Sequence, residues 1–191
     1  GGGSDTIATP VIPTAGNANP NMGQDWSFDF IEDNAGTFSI GAPTDADEND
    51  SALTITVLSI PTGGVLTTSE GTVLTVDMTL APSLLEGLTF TPNANANSDA
   101  DDIGTLILRV TDSSGSSDSA TFTFVVTAVN DLPTNISITA SSIAENVAGI
   151  AVGTISSDDP DLDNTFTLSG TDADKFELSG TTLKLKNTVT A

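Results

Sequence analysis

The 191-residue chain contains no cysteine and no histidine. Those two absences remove thiol redox chemistry, disulfide staples, the common zinc donors and any Ser-His-Asp or Cys-His arrangement. Tyrosine is also absent, tryptophan occurs once, at Trp26, and 4 basic residues face 26 acidic ones, for a formal net charge of -22. A surface so poor in lysine and arginine cannot neutralise phosphates, so nucleic acid and anionic membrane are excluded as partners. No run approaches the roughly 18 apolar residues of a membrane helix, so no membrane insertion is expected. No basic segment followed by an apolar one opens the chain, which therefore reads as an internal or mature fragment.

The same absences pose a stability problem. Carboxylates crowded on a small domain repel one another, and an extracellular chain without disulfides needs another staple. Calcium, which takes roughly six to eight hard oxygen ligands from carboxylates, amides and carbonyls, answers both needs.

What is present is period-two alternation. Ala120, Phe122, Phe124 and Val126 alternate with Thr121, Thr123, Val125 and Thr127, and Leu106, Leu108 and Val110 alternate with Thr105, Ile107, Arg109 and Thr111. Trp26, Phe28 and Phe30, then Leu53, Ile55 and Val57, follow the same rule, which is that of half-buried strands. Pro61-Thr62-Gly63-Gly64 reads as a hairpin turn whose glycines supply positive φ. Val73, Leu74 and Val76 continue the strand pattern, and Leu84-Leu85-Glu86 reads as one helical turn. Many short, threonine-rich strands with little helical periodicity predict an all-β fold, an antiparallel β-sandwich.

Four segments follow. Residues 1–24, with Pro10, Pro13, Pro20, Gly16 and Gly23, read as an extended linker, with Val11 and Ile12 able to lie along a sheet edge. Residues 25–129 read as a complete sandwich. Residues 130–133, Asn-Asp-Leu-Pro, form a stiff polar joint. Residues 134–191 begin a second sandwich and stop near its fourth or fifth strand. Such a half-sandwich has an open core face, so it is expected to be poorly ordered or completed by another chain. The second unit repeats the first: Glu32 and Glu145 lie 113 positions apart, and Asp45-Ala46-Asp47 is matched by Asp159-Pro160-Asp161.

Four acidic groups are candidate ligands: Glu32; Asp45 with Asp47, Asn49 and Asp50; Asn130 with Asp131; and Asp159 with Asp161, Asp163 and Asn164. Asp112 and Glu145 join them by position. Aspartates two apart on a loop converge on one ion, although Asp and Asn also fill turns by bonding their own backbone. An EF-hand is excluded. Counted from Asp159, the sixth position is Asn164 and the twelfth is Gly170, and counted from Asp45 the twelfth is Thr56.

These motifs resemble the cadherin repeat, and especially the cadherin-like tandem repeats of bacterial secreted, RTX-type adhesins. The resemblance spans about Asp25 to Ala191. It rests on Ala144-Glu145-Asn146-x-x-Gly149, Asp159-Pro160-Asp161-Leu162-Asp163-Asn164, Val110-Thr111-Asp112-x-x-Gly115 and, most specifically, Ala128-Val129-Asn130-Asp131-Leu132-Pro133. It implies Greek-key antiparallel β-sandwiches of cadherin- or immunoglobulin-like type, strung end to end with calcium at each junction. Carried over by position, one site would use Glu32, Asn130, Asp131, Asp159, Asp161 and Asn164. Asp45, Asp47 and Asp112 would face the N-terminal end of the first sandwich and an upstream linker. Ala128 and Leu132 depart from the pattern, where cadherins carry an aspartate and an asparagine, so fewer ions are expected at this joint than in animal cadherins.

The implied role is a calcium-stiffened extracellular spacer or adhesion module of a large cell-surface or secreted adhesin, of the kind that serves biofilms. Neighbouring cadherin-like domains would be its partners and it would have no enzymatic activity. The alternative is a calcium-dependent module that binds a polysaccharide or a homotypic partner. A glycosidase built on paired carboxylates lacks an aromatic-lined cleft. Asn49-Asp50-Ser51 and Asn135-Ile136-Ser137 fit the glycosylation pattern, a common one that a bacterial source leaves unused. Trp26 is expected in a core or domain interface rather than as a sugar platform.

Overall fold

The computed structural model describes residues 16–144, 147–161 and 164–187. Val11, Ile12, Glu145 and Asp163 lie outside the described residues. The chain divides into two compact units, Gly1–Ala128 and Val129–Ala191.

The first unit holds eight strands among its described residues: β1 (Trp26–Ile31), β2 (Gly36–Phe38), β3 (Thr54–Ser59), β4 (Gly64–Thr67), β5 (Thr79–Leu80), β6 (Leu88–Pro92), β7 (Thr105–Thr111) and β8 (Ser117–Thr127). They form a five-stranded sheet of order β1-β8-β7-β3-β5 and a three-stranded sheet of order β2-β6-β4. Pairing is antiparallel except for β1, which runs parallel to β8 from Trp26↔Phe122 to Ile31↔Thr127. The alternation along β8 sets the layering, because Ala120, Phe122, Phe124 and Val126 are all buried. The Phe124 ring meets the other sheet at Phe90, 4.8 Å away centroid to centroid, and Phe30 of the neighbouring strand β1 stacks on it at 5.5 Å and 9°. Burying each such ring stabilises the fold by about 1.5–3 kcal/mol. The unit is an all-β, largely antiparallel sandwich.

Several expectations change. Pro61–Gly64 is not a hairpin turn: β3 belongs to the five-stranded sheet and β4 to the three-stranded one, so the segment crosses between layers. Neither Gly63 nor Gly64 has positive φ. They are required by close approach, since a Cβ at Gly64 would lie 2.5 Å from the Thr91 carbonyl oxygen and one at Gly63 would lie 2.9 Å from the Ile103 Cα. Val73–Val76 forms no strand, only a bridge from Val73 to Thr67. The helical turn does form, as a 3₁₀ turn at Pro82–Leu85 with Leu85 buried. Residues 17–22 pack onto the unit although their composition is that of a linker: Pro20 and Met22 are buried and Asn21 bridges Thr44. Trp26 is 64% exposed, not core, because it begins an edge strand.

The second unit forms one antiparallel sheet of order β11-β12-β10-β9, from β9 (Thr134–Ala140), β10 (Ala151–Asp158), β11 (Phe176–Ser179) and β12 (Thr182–Leu185). Its register, Ile138↔Ile155, Gly153↔Leu183, Leu178↔Leu183 and Phe176↔Leu185, gathers the apolar residues on one face. Among the described residues the second unit is a regular four-stranded sheet, in which neighbouring strands satisfy the backbone groups. Its apolar face is open, with Ile136 74% and Ile138 48% exposed.

Candidate metal centre

The N-terminal pole of the first unit is built from three pieces of chain: the segment 17–22, the β2–β3 connection and the β7–β8 hairpin. The hairpin turns on Asp112. Its Oδ1 accepts from Ser114 N–H at 2.9 Å, Ser114 Oγ at 2.8 Å and Ser116 N–H at 2.8 Å, and Gly115 supplies φ +91°. Its Oδ2 accepts from Asn17 Nδ2 at 2.8 Å. The β2–β3 connection folds on its own acidic side chains. Asp47 N–H donates to Asp45 Oδ1 at 3.0 Å, Asp45 N–H donates to Asp50 Oδ1 at 2.9 Å, and Asn49 caps the 3₁₀ turn at Asp50–Ala52 through Ser51 N–H. Ser113 N–H donates to Glu48 Oε2 at 2.9 Å and ties the connection to the hairpin.

This folding brings carboxylate oxygens of Asp45, Glu48 and Asp112 within 4.8 Å of one another, the one such group of three among the described residues. Asp112 is 6% exposed. Asp45 Oδ2 is buried and accepts no hydrogen bond. A buried acceptor without a donor costs about 1–3 kcal/mol, and three carboxylates this close repel. A cation would offset both costs. The Asn17 amide holds the Asp112 carboxyl below its ordinary value of 3.8; burial pushes the other way, and the smaller influences of the Ser114 and Ser116 donors add to the lowering. The Asp47 N–H does the same for Asp45. Both groups are anionic at neutral pH, as a hard-cation site requires.

The expected ligands are distributed unevenly. Asp45 and Asp112 meet. Asp47 does not join them: it is exposed, and both its oxygens accept from Ala18 N–H at 3.1 and 3.2 Å. Glu48 takes its place. Glu48 and Asn17 were missed, and a sequence signal existed for the second. Asn17 and Pro20 precede Asn130 and Pro133 by 113 positions, the spacing between Glu32 and Glu145.

Glu32 lies at the other end of the first unit. It is 1% exposed, its N–H donates to the Thr127 carbonyl and its Oε2 accepts from Asn97 Nδ2 at 3.2 Å. Asp112 precedes β8 and Thr127 ends it, so the length of that 11-residue strand, roughly 35 Å, separates the two ends.

In the second unit, Asp161 N–H donates to Asp159 Oδ1 at 3.0 Å, the same two-residue turn made by Asp47 and Asp45. Asp131 N–H donates to Asp161 Oδ2. Asp159 is 8% exposed and its Oδ2 accepts no hydrogen bond among the described residues. Asn164 stands apart from this group in its bonding, with its Oδ1 accepting from Ser157 Oγ at 2.6 Å, and the Asn130 amide donates to the Asp131 carbonyl.

No family model matches the sequence, and no curated protein matches it. Solved structures do. The extracellular cadherin domains 1–4 of protocadherin gamma B7 match at a TM-score of 0.56 and 18% identity, over 87% of this chain and 40% of that one. The titin domains z1z2 in complex with telethonin match at a TM-score of 0.35 and 14% identity, over 90% of this chain and 82% of that one. The chain thus spans less than half of the protocadherin fragment. The protocadherin match, on backbone geometry alone, makes the fold of this chain cadherin-like.

Proposed function

We propose that this chain is part of a calcium-stiffened extracellular spacer or adhesion module, from a cell-surface or secreted adhesin of the bacterial RTX type. Its role is mechanical rather than enzymatic, with neighbouring cadherin-like domains as its partners. The observation that carries this reading is the Asp45–Glu48–Asp112 group, with Asp45 Oδ2 buried and lacking a donor. Asp45, Glu48 and Asp112 would hold one calcium ion at the N-terminal pole of the first unit. In the second unit, Asp159 supplies another buried carboxylate oxygen without a donor, next to Asp131 and Asp161. A bound calcium supplies the positive charge that relieves carboxylate repulsion and ties the β2–β3 connection to the β7–β8 hairpin. At ten times its dissociation constant it adds roughly 1.4 kcal/mol to stability.

A thermal melt across a calcium titration tests this, with magnesium and chelator as controls. The midpoint rises with calcium, rises much less with magnesium, and loses most of its response in Asp45→Ala. A melt that ignores calcium would reduce the acidic motifs to ordinary turns.

One observation favours the second reading, a calcium-dependent ligand-binding module. Exposed Trp26 borders a groove of about 290 Å³ lined by Met22, Phe28, Ile40 and Phe122. Saturable binding on a glycan array, lost in Trp26→Ala, would support that reading, and a blank array would favour the spacer.

A further inference from the structure

The two oxygens of Asp112 serve different elements. Oδ1 is taken up by three donors of its own hairpin, whereas Oδ2 accepts from Asn17, 95 positions away. The Asn17 contact is the first fastening of a strap. Ala18 N–H donates to the Asp47 carboxylate, Asn21 and Thr44 exchange backbone hydrogen bonds at 2.8 and 3.1 Å, and Met22 N–H donates to Asp118 Oδ2 at 2.9 Å over a buried Met22 side chain. Three of the four fastenings are donors from residues 17–22 to aspartates, and the first sits on the acidic triad itself.

A carboxylate only accepts, so the nitrogen end of the Asn17 amide must face Asp112 while no cation is held there. A cation reverses that requirement, since it attracts the amide oxygen and repels the N–H end. We propose that Asn17 is a two-position latch. With its nitrogen toward Asp112 it keeps the strap on the first unit in the absence of calcium. Turned about its terminal bond, it offers its oxygen to an ion held by Asp45, Glu48 and Asp112. The strap therefore stays docked in both conditions, and breaking the Asn17–Asp112 bond is part of what opposes ion binding. The second position rests on the calcium reading proposed above, whereas the first stands without it.

Amide hydrogen exchange by NMR on the whole chain tests this, in chelator and in millimolar calcium, for the wild type, Asn17→Ala and Asn17→Asp. In chelator, the Ala18 amide should exchange roughly tenfold faster in Asn17→Ala than in the wild type. Asn17→Asp should loosen it similarly, because a second carboxylate then faces Asp112. Calcium should restore wild-type protection in Asn17→Asp and not in Asn17→Ala. In the wild type, calcium should shift the Asn17 side-chain NH₂ resonances while Ala18 stays protected. The Met22 amide, held by Asp118, should stay within about twofold throughout, which shows that the variants are folded. Equal Ala18 exchange in the wild type and Asn17→Ala in chelator would overturn the latch. A tenfold contrast in chelator with no calcium response in any variant would overturn its second position, and the calcium reading with it, while leaving the hydrogen-bonded fastening in place.

Discussion

The two units use one local rule and reach different ends. In the first, the apolar residues of β8 meet a second sheet, and Phe122 and Phe124 are 3% exposed. In the second, the same alternation along β9 leaves Ile136 and Ile138 at 74% and 48% exposure. Strand pairing satisfies backbone groups within a single sheet, but removing side chains from water requires a second layer. Secondary structure is therefore a local property here, and the core is not. The acidic turns show the converse. Asp45-x-Asp47 and Asp159-x-Asp161 close the same 3.0 Å hydrogen bond in both units, with or without a finished sandwich around them.

The largest effect should separate the two apolar faces. Phe124→Ala, which empties the centre of an aromatic cluster, should cost about 3–5 kcal/mol in denaturant unfolding. Ile138→Ala, on the open face, should cost less than about 0.5 kcal/mol. A comparable loss from Ile138→Ala would mean that another chain segment covers that face in solution. Gly64→Ala comes next. The added methyl meets the Thr91 carbonyl at a crossover that must stay tight, so a loss of about 1–3 kcal/mol is expected by the same measurement.

The smallest effect is on pH dependence. Asp45 and Asp112 have folded-state pKa values below 3.8, their ordinary value, so the stability they contribute is complete above that value. It is lost as pH falls from about 3.8 through the lowered values. Melts in chelator between pH 6 and pH 2.5 should show this decline, and Asp112→Asn should flatten part of it. An unchanged profile in that variant would mean that the carboxylate gains nothing from Asn17 and the hairpin donors.

Where the signal is local, the chain is legible. Strands β1, β3, β7 and β8 follow from alternation, and the helical turn read at Leu84-Leu85-Glu86 forms at Pro82–Leu85. The Pro61–Gly64 turn was misread because a hairpin and a crossover share the same residues, and only sheet membership tells them apart. Trp26 is exposed rather than core because alternation gives the face of a strand and not whether the strand lies at an edge. Met22 was hidden in a segment whose composition is that of a linker. In the candidate site, Asp45 and Asp112 were named through the family resemblance, and their carboxylates lie together. Glu48 was not, because Asp47 and Glu48 are adjacent carboxylates on one loop. The hydrogen bond from Asp47 N–H to Asp45 closes the loop so that Glu48, one residue later, reaches the hairpin.

A cation at this pole, as proposed above, would be held through Glu48 rather than Asp47. The most direct measurement is a crystal structure in millimolar calcium, with anomalous difference density used to locate the ion. The expected result is a peak within coordination distance of Asp45, Glu48 and Asp112, with the Asn17 amide oxygen turned toward it. A featureless map at that pole, or a peak ligated by Asp47 with Glu48 turned away, would contradict it.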